Sequence, residues 1–279
     1  MKSRFNITNY SELGQRIITA LIGAAIILGG SIYSEWTYFI IFGAILAVSQ
    51  LEFYKLCGLD GMVPLKSFGT FLGLLIFSMS FLVEMKHLPD KYYFLVFPLV
   101  SLTFFIKLYG KSDKKPFTGI AYTFLGIFYV AVPFALLNMA TFSVDGTFHY
   151  EVIVGSLFLL WASDSGAYFA GTKFGKTKLF ERVSPKKSWE GSLGGAAMAI
   201  LTAFLLSKYF VVIPQWKWLS IAGIIIIAGT YGDLIESLFK RSIAIKDSGR
   251  GLPGHGGFMD RFDGLLLSAP FIAAFLKIF

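Results

Sequence analysis

Asp233, Glu236, Asp247, Asp260 and Asp263 share a 31-residue stretch with Lys240, Arg241, Lys246, Arg250, Arg261, His255 and five glycines. Carboxylates alone would bind cations, and basic residues alone would bind anionic headgroups. Together, with glycines that let the backbone approach a ligand, they suit Mg²⁺ carrying a nucleotide phosphate. Mg²⁺ is hard, prefers oxygen, and typically takes one or two carboxylates while substrate phosphates complete its shell. Asp233, Ser237 and Lys240 stand at i, i+4 and i+7, one face of a helix. Asp233 then lies roughly 10 Å along the axis from Lys240. Asp260 and Asp263, at i and i+3, share a face if a helix starts near Phe258. Zinc is a poor fit, because His87, His149 and His255 are scattered and Cys57 stands alone. No Gly-x4-Gly-Lys-Ser/Thr phosphate loop occurs.

A second polar segment runs from Asp164 through Gly175 and on to Ser184-Pro185-Lys186-Lys187-Ser188-Trp189-Glu190-Gly191. Asp164 falls well inside an apolar run, where an ionisable group costs about 2.5–3.5 kcal/mol on insertion scales and faces a cavity or a partner. A salt bridge to a neighbouring helix is the plainer reading of Asp164. Ser184, Lys186 and Lys187, flanked by glycine, can form a phosphate cradle. An orienting basic loop explains the two lysines equally well.

The elements that must position these groups follow from composition. Of 279 residues, 55% are hydrophobic and only 15% charged, 30 are Phe, and the single cysteine forms no internal disulfide. Mean hydropathy is +0.67. A soluble surface cannot be covered with so few charges, so the expected fold is an all-α, polytopic membrane protein. Each crossing of about 30 Å of hydrocarbon takes about 20 mostly apolar residues. Nine spans are expected, near 17–34, 36–53, 67–84, 92–107, 117–140, 152–171, 192–212, 218–239 and 262–279. Continuous apolar runs exclude the alternating strands of a membrane barrel. With a cytoplasmic N-terminus, 20 of the 25 Lys and Arg residues fall on one side. The positive-inside rule therefore predicts N-terminus cytoplasmic and C-terminus outside, and an even number of spans would spoil the alternation. The first helix reads as retained, not as a removed signal peptide.

The chain divides into residues 1–150, spans one to five, and residues 151–279, spans six to nine, which carry the chemistry. In the first part the polar residues, such as Glu52, read mainly as groups that cap or orient a helix. Cys57 reads as a small apolar residue.

Ser237-Leu238-Phe239-Lys240-Arg241, then Lys246-Asp247-Ser248-Gly249, then Leu252-Pro253-Gly254-His255-Gly256-Gly257-Phe258-Met259-Asp260-Arg261-Phe262-Asp263 closely resembles the C-terminal motif of phosphatidate cytidylyltransferases, also called CDP-diacylglycerol synthases. The match runs through 27 residues without departure at a defining position. The Asp164 and Ser184–Gly191 stretches also look like that family's second polar segment.

The resemblance implies a reaction: CTP and phosphatidate give CDP-diacylglycerol and pyrophosphate, for phospholipid synthesis. It further implies that Asp233 and Asp260 hold Mg²⁺, in a centre that can pair it with K⁺. Lys240, Arg241, Lys246 and Arg250 are then expected to meet the triphosphate or the lipid headgroup. Ser184, Lys186 and Lys187 would close the other side, with Ser237, Asp247, Arg261 and Asp263 also at the substrate and Asp164 on the cavity floor. His255 is expected either to serve catalysis, at a phosphate or orienting Asp260, or to shape a glycine-rich turn. The partners expected are CTP, phosphatidate and membrane lipids, with no nucleic acid and room for a homodimer. The expected location is the inner (plasma) membrane, multi-pass, with the site facing the cytoplasm. A lipid-alcohol kinase would share the Mg²⁺ and basic loops but not the intact motif. A transporter would be expected to show inverted repeats with paired broken helices, and none is visible.

Overall fold

The computed structural model describes residues 12–59, 61–110, 114–245 and 257–279. Among them nine long helices occur, one over each expected span: α1 Glu12–Tyr33, α2 Glu35–Leu59, α3 Lys66–Glu84, α4 Val96–Leu108 behind a 3₁₀ entry at Asp90–Leu95, and α5 Pro116–Thr141. They continue as α6 Tyr150–Phe174, α7 Trp189–Tyr209, α8 Gln215–Ser242 and α9 Met259–Ile278. Seven stretches, containing α2 to α8, are long and apolar enough to cross a membrane. This is the architecture of a multi-pass membrane protein, in which helices satisfy every backbone group internally where no water can. The apolar part of α1, Ile17–Tyr33, is shorter. In α9 the apolar stretch begins only after Met259-Asp260-Arg261-Phe262-Asp263.

One element departs from an all-α expectation. Between α6 and α7 the chain forms an antiparallel hairpin of β1 Lys178–Phe180 and β2 Ser184–Ser188, with Lys178 opposite Ser188 and Phe180 opposite Ser184. The Ser-Pro-Lys-Lys-Ser segment, expected as a loop, is therefore a strand. Pro185 is tolerated because β2 has one neighbour only, so its other edge needs no N–H donor. Ser188 ends the strand and caps α7, its Oγ accepting from Gly191 N at 3.1 Å. The Glu190 carboxylate accepts from the backbone N–H groups of Lys176 and Thr177, each at 3.1 Å, and ties the start of the hairpin to α7.

In the first 150 residues the buried polar groups cross-link helices. Gln50 donates to Tyr54 Oη and to the Gly69 carbonyl, both at 3.0 Å, and Tyr54 donates to the Thr123 carbonyl at 2.8 Å. Tyr38 donates to Asn138 Oδ1, which sits on α5, and Asn138 Nδ2 donates to the Phe77 carbonyl on α3. Interhelical hydrogen bonds of this kind hold membrane helices together where no water-driven collapse does so. Cys57 is fully buried in the same aromatic core.

The second part is built on close backbone approach. A Cβ placed on Gly166 of α6 would lie 2.6 Å from the Gly194 carbonyl of α7. One on Gly232 of α8 would lie 2.4 Å from the Asp263 carbonyl of α9. Without side chains at these two crossings, α6, α7, α8 and α9 press the Asp-bearing segments into one another. Just before Asp233, a π-helical turn at Ile225–Gly229 shifts the register of α8.

Candidate active site

α8 supplies Asp233, Glu236, Ser237 and Lys240 on one face, as the i, i+3, i+4, i+7 spacing requires. Ser237 Oγ donates to Asp233 Oδ1 at 3.3 Å. α9 begins at Met259, so Asp260 and Asp263 do share a face, and it meets α8. The Lys240 ammonium contacts Asp260 Oδ1 at 3.1 Å and Glu236 Oε1 at 3.5 Å. Asp263 accepts from its neighbouring Gly264 N–H at 2.7 Å and, like Asp260, faces Glu236. Asp164 of α6 lies within electrostatic reach of Asp233, Lys187 and Arg261.

The hairpin closes this group from the side. Lys187 Nζ lies 2.7 Å from Asp233 Oδ2 and donates to the Thr230 carbonyl at 3.3 Å. Successive strand residues point to opposite faces, and that rule separates the two lysines. Lys187 is half-buried against α8, whereas Lys186 is exposed. Ser184 is half-buried opposite Phe180 in β1.

Five acidic groups (Asp164, Asp233, Glu236, Asp260 and Asp263) thus adjoin three cations, Lys187, Lys240 and Arg261. The formal excess is two negative charges. Glu236 is 1% exposed, and its Oε1 accepts no hydrogen bond, the Lys240 ammonium standing 3.5 Å away. These oxygen donors, with more carboxyl groups than cations among them, fit a hard divalent cation, which in turn suits phosphate chemistry. Among the described residues no group of three or more carboxylate, His or Cys side chains is gathered as a ready ligand cage. Mg²⁺ usually does without one, since substrate phosphates and water fill most of its shell.

The profile of the Cytidylyltransferase family matches residues 14–279. The chain belongs to this family. The phosphatidate cytidylyltransferase of Pseudomonas aeruginosa is 34% identical over 269 residues, covering 95% of this chain and 97% of that protein. Proteins of the same name from Bacillus subtilis and Haemophilus influenzae are 31% and 30% identical, covering 96% and 94% of this chain and 99% and 98% of their own lengths.

Of the residues expected at the site, Asp164, Lys187, Asp233, Ser237, Lys240, Asp260, Arg261 and Asp263 are brought together. Lys186 and Arg241 are exposed, and neither contacts the carboxylate group. Lys246, Asp247, Arg250 and His255 lie outside the described residues. Three participants escaped the sequence reading. Glu236 was counted among the acids but given no part, although its i+3 spacing from Asp233 placed it on the same face. Thr230 contributes only a carbonyl, which no side-chain pattern reveals. Tyr129 of α5, its buried hydroxyl without a hydrogen-bond partner, lies within electrostatic reach of Glu236 and Asp263 from a distant part of the sequence.

Proposed function

We propose that the chain transfers CMP from CTP to phosphatidate, forming CDP-diacylglycerol and releasing pyrophosphate at the cytoplasmic face of the inner membrane. The observation that carries this reading is the meeting of Lys187 with Asp233, which joins the two polar segments into one charged cluster. The whole-length relatives named phosphatidate cytidylyltransferase support it.

In this reaction a phosphatidate phosphate oxygen attacks the α-phosphorus of CTP. The bond from the α-phosphorus to the bridging oxygen breaks, and pyrophosphate leaves with the electron pair. A phosphate monoester that has lost its second proton is already a competent nucleophile, so no strong base is needed. Asp233 and Asp260 would hold Mg²⁺, which supplies charge neutralisation to the triphosphate and its leaving group. Lys240 bridges Asp260 and Glu236 and orients the α9 carboxylate. Lys187, anchored by Asp233 and the Thr230 carbonyl, presents a cation where a phosphate would rest. Asp164 and Asp263 add negative charge within reach of Lys187 and Lys240. The catalytic effect is mainly position and fixed charge.

The proposed topology has nine crossings, with the N-terminus inside and the C-terminus outside. Two contacts between distant parts of the chain support this alternation. Glu52, near the inner end of α2, reaches Met259 at the inner start of α9. Glu84, at the outer end of α3, pairs with Lys277 at the outer end of α9, 2.8 Å apart. Purified protein given phosphatidate, CTP and Mg²⁺ should form CDP-diacylglycerol, and omitting Mg²⁺ should stop it. Absence of product together with absence of CTP binding would overturn the proposal.

A further inference from the structure

The first 150 residues contribute more than a membrane scaffold, because one residue pair in α2 touches both catalytic helices. Glu52 Oε2 accepts from the backbone N–H of Met259 at 3.0 Å, across 207 positions of sequence. The next residue, Phe53, is buried and stacks on Phe239 with ring centroids 5.2 Å apart and planes 24° apart. Met259 precedes Asp260, and Phe239 precedes Lys240, the two residues whose side chains meet at 3.1 Å. The clasp therefore grips α8 and α9 each one residue from that contact.

A helix leaves its first N–H groups without internal partners, and a carboxylate there is favoured by the helix dipole as well as by hydrogen bonding. α9 begins at Met259, and Phe258, the residue before it, supplies no side-chain cap. Asp260 reaches back toward the Gly257 N–H, but at 3.5 Å. The shorter bond at this helix start comes from Glu52. A carboxylate on a membrane helix is costly to place, so a specific partner is expected for it, and Met259 N–H is that partner.

We propose that Glu52 is a positioning residue for Asp260: by capping the first turn of α9 from α2, with Phe53 bracing α8, it fixes the Asp260 carboxylate where Lys240 and a divalent cation use it. The consequence for the cation rests on the function proposed above; the capping role itself does not. Loss of a charge-assisted cap shifts a local equilibrium by about tenfold.

The test uses full-length protein in lipid nanodiscs, with Glu52→Ala, Glu52→Gln and Glu52→Asp variants. Without Mg²⁺, hydrogen exchange of the peptide spanning residues 257–262 should quicken about tenfold in E52A. E52Q, which keeps an oxygen acceptor at the same reach, should stay close to wild type. In turnover, the Mg²⁺ concentration for half-maximal rate should rise about tenfold in E52A while kcat at saturating Mg²⁺ stays within about twofold, and E52Q should restore it. A merely structural role would lower thermal stability and kcat without moving the Mg²⁺ requirement. Should E52A not accumulate, E52D, one methylene short of the amide, should show the same faster exchange. Unchanged exchange in both E52A and E52D, or an E52Q variant as impaired as E52A, overturns the proposal. A wild-type protein that makes no product refutes the enzymatic reading alone, and the exchange experiment still decides the capping role.

Discussion

Replacing Lys187 and Lys186 separately by alanine separates two neighbours that sequence treats alike. Lys187 Nζ is 2.7 Å from Asp233 Oδ2, with the two side chains 25% and 46% exposed. At that distance two unit charges attract by about 6 kcal/mol at an effective dielectric constant near 20, and by about 1.5 kcal/mol in bulk water. The partial exposure of both groups and the cost of desolvating them pull the net value toward the lower figure. A charge-assisted hydrogen bond to a developing phosphate charge is worth about 1.5–3 kcal/mol. Lys187→Ala should then lower kcat/KM for CTP by about 10- to 150-fold at saturating phosphatidate. Lys186 is exposed on the other face of the strand, and Lys186→Ala should cost less than about threefold, as surface charges generally do. The assay is initial-rate formation of CDP-diacylglycerol by purified variants of matched monodispersity and thermal stability. Combined with Asp233→Asn, Lys187→Ala should cost less than the sum of the two singles, because the residues act as a pair. Equal damage from Lys186→Ala and Lys187→Ala would refute the assignment of opposite strand faces and, with it, the hairpin's part in the site.

Asp233→Asn and Asp260→Asn should each reduce Mg²⁺-dependent turnover by at least about 100-fold while the protein still inserts and folds, as checked by size-exclusion profile and thermal unfolding. Activity near wild type in either variant removes that residue from the metal assignment. Gly232→Ala should lower the unfolding temperature and turnover together, since its methyl group would meet the Asp263 carbonyl at 2.4 Å and overpacking costs about 1–3 kcal/mol. Gly223→Ala, on the same helix with open space around it, should leave both nearly unchanged.

The nine helices were legible because hydrocarbon imposes a length and a polarity that a sequence window can see. The one-face arrangement of Asp233, Ser237 and Lys240 was legible for the same reason, helical spacing being local. The hairpin was not. Strands of three and five residues, polar and interrupted by Pro185, fall below the length at which alternation gives a signal. That gap mattered, because adjacent residues of a strand point apart, which accounts for Lys187 turning to Asp233 while Lys186 stays exposed. Asp164 announced itself as a polar group inside an apolar run, yet its neighbours came from other helices. The Glu52 contact to Met259 shows the limit most plainly: the pattern around Glu52 allowed a capping role, but no periodicity joins residues 207 positions apart. The basic and glycine-rich stretch from Lys246 to Gly256, which carries much of the family resemblance, lies outside the described residues, so its four expected site residues stay as sequence proposals.

The central claim is that a nucleotidyl group, and not a terminal phosphate, passes to the lipid. Parallel reactions with CTP labelled at the α-phosphorus and at the γ-phosphorus test it directly, in the presence of phosphatidate and Mg²⁺. The account predicts that the α label enters the lipid product in equal amount to the pyrophosphate released, while the γ label appears only in pyrophosphate. Transfer of the γ label to lipid, with CDP as the soluble product, would contradict it and make the chain a kinase.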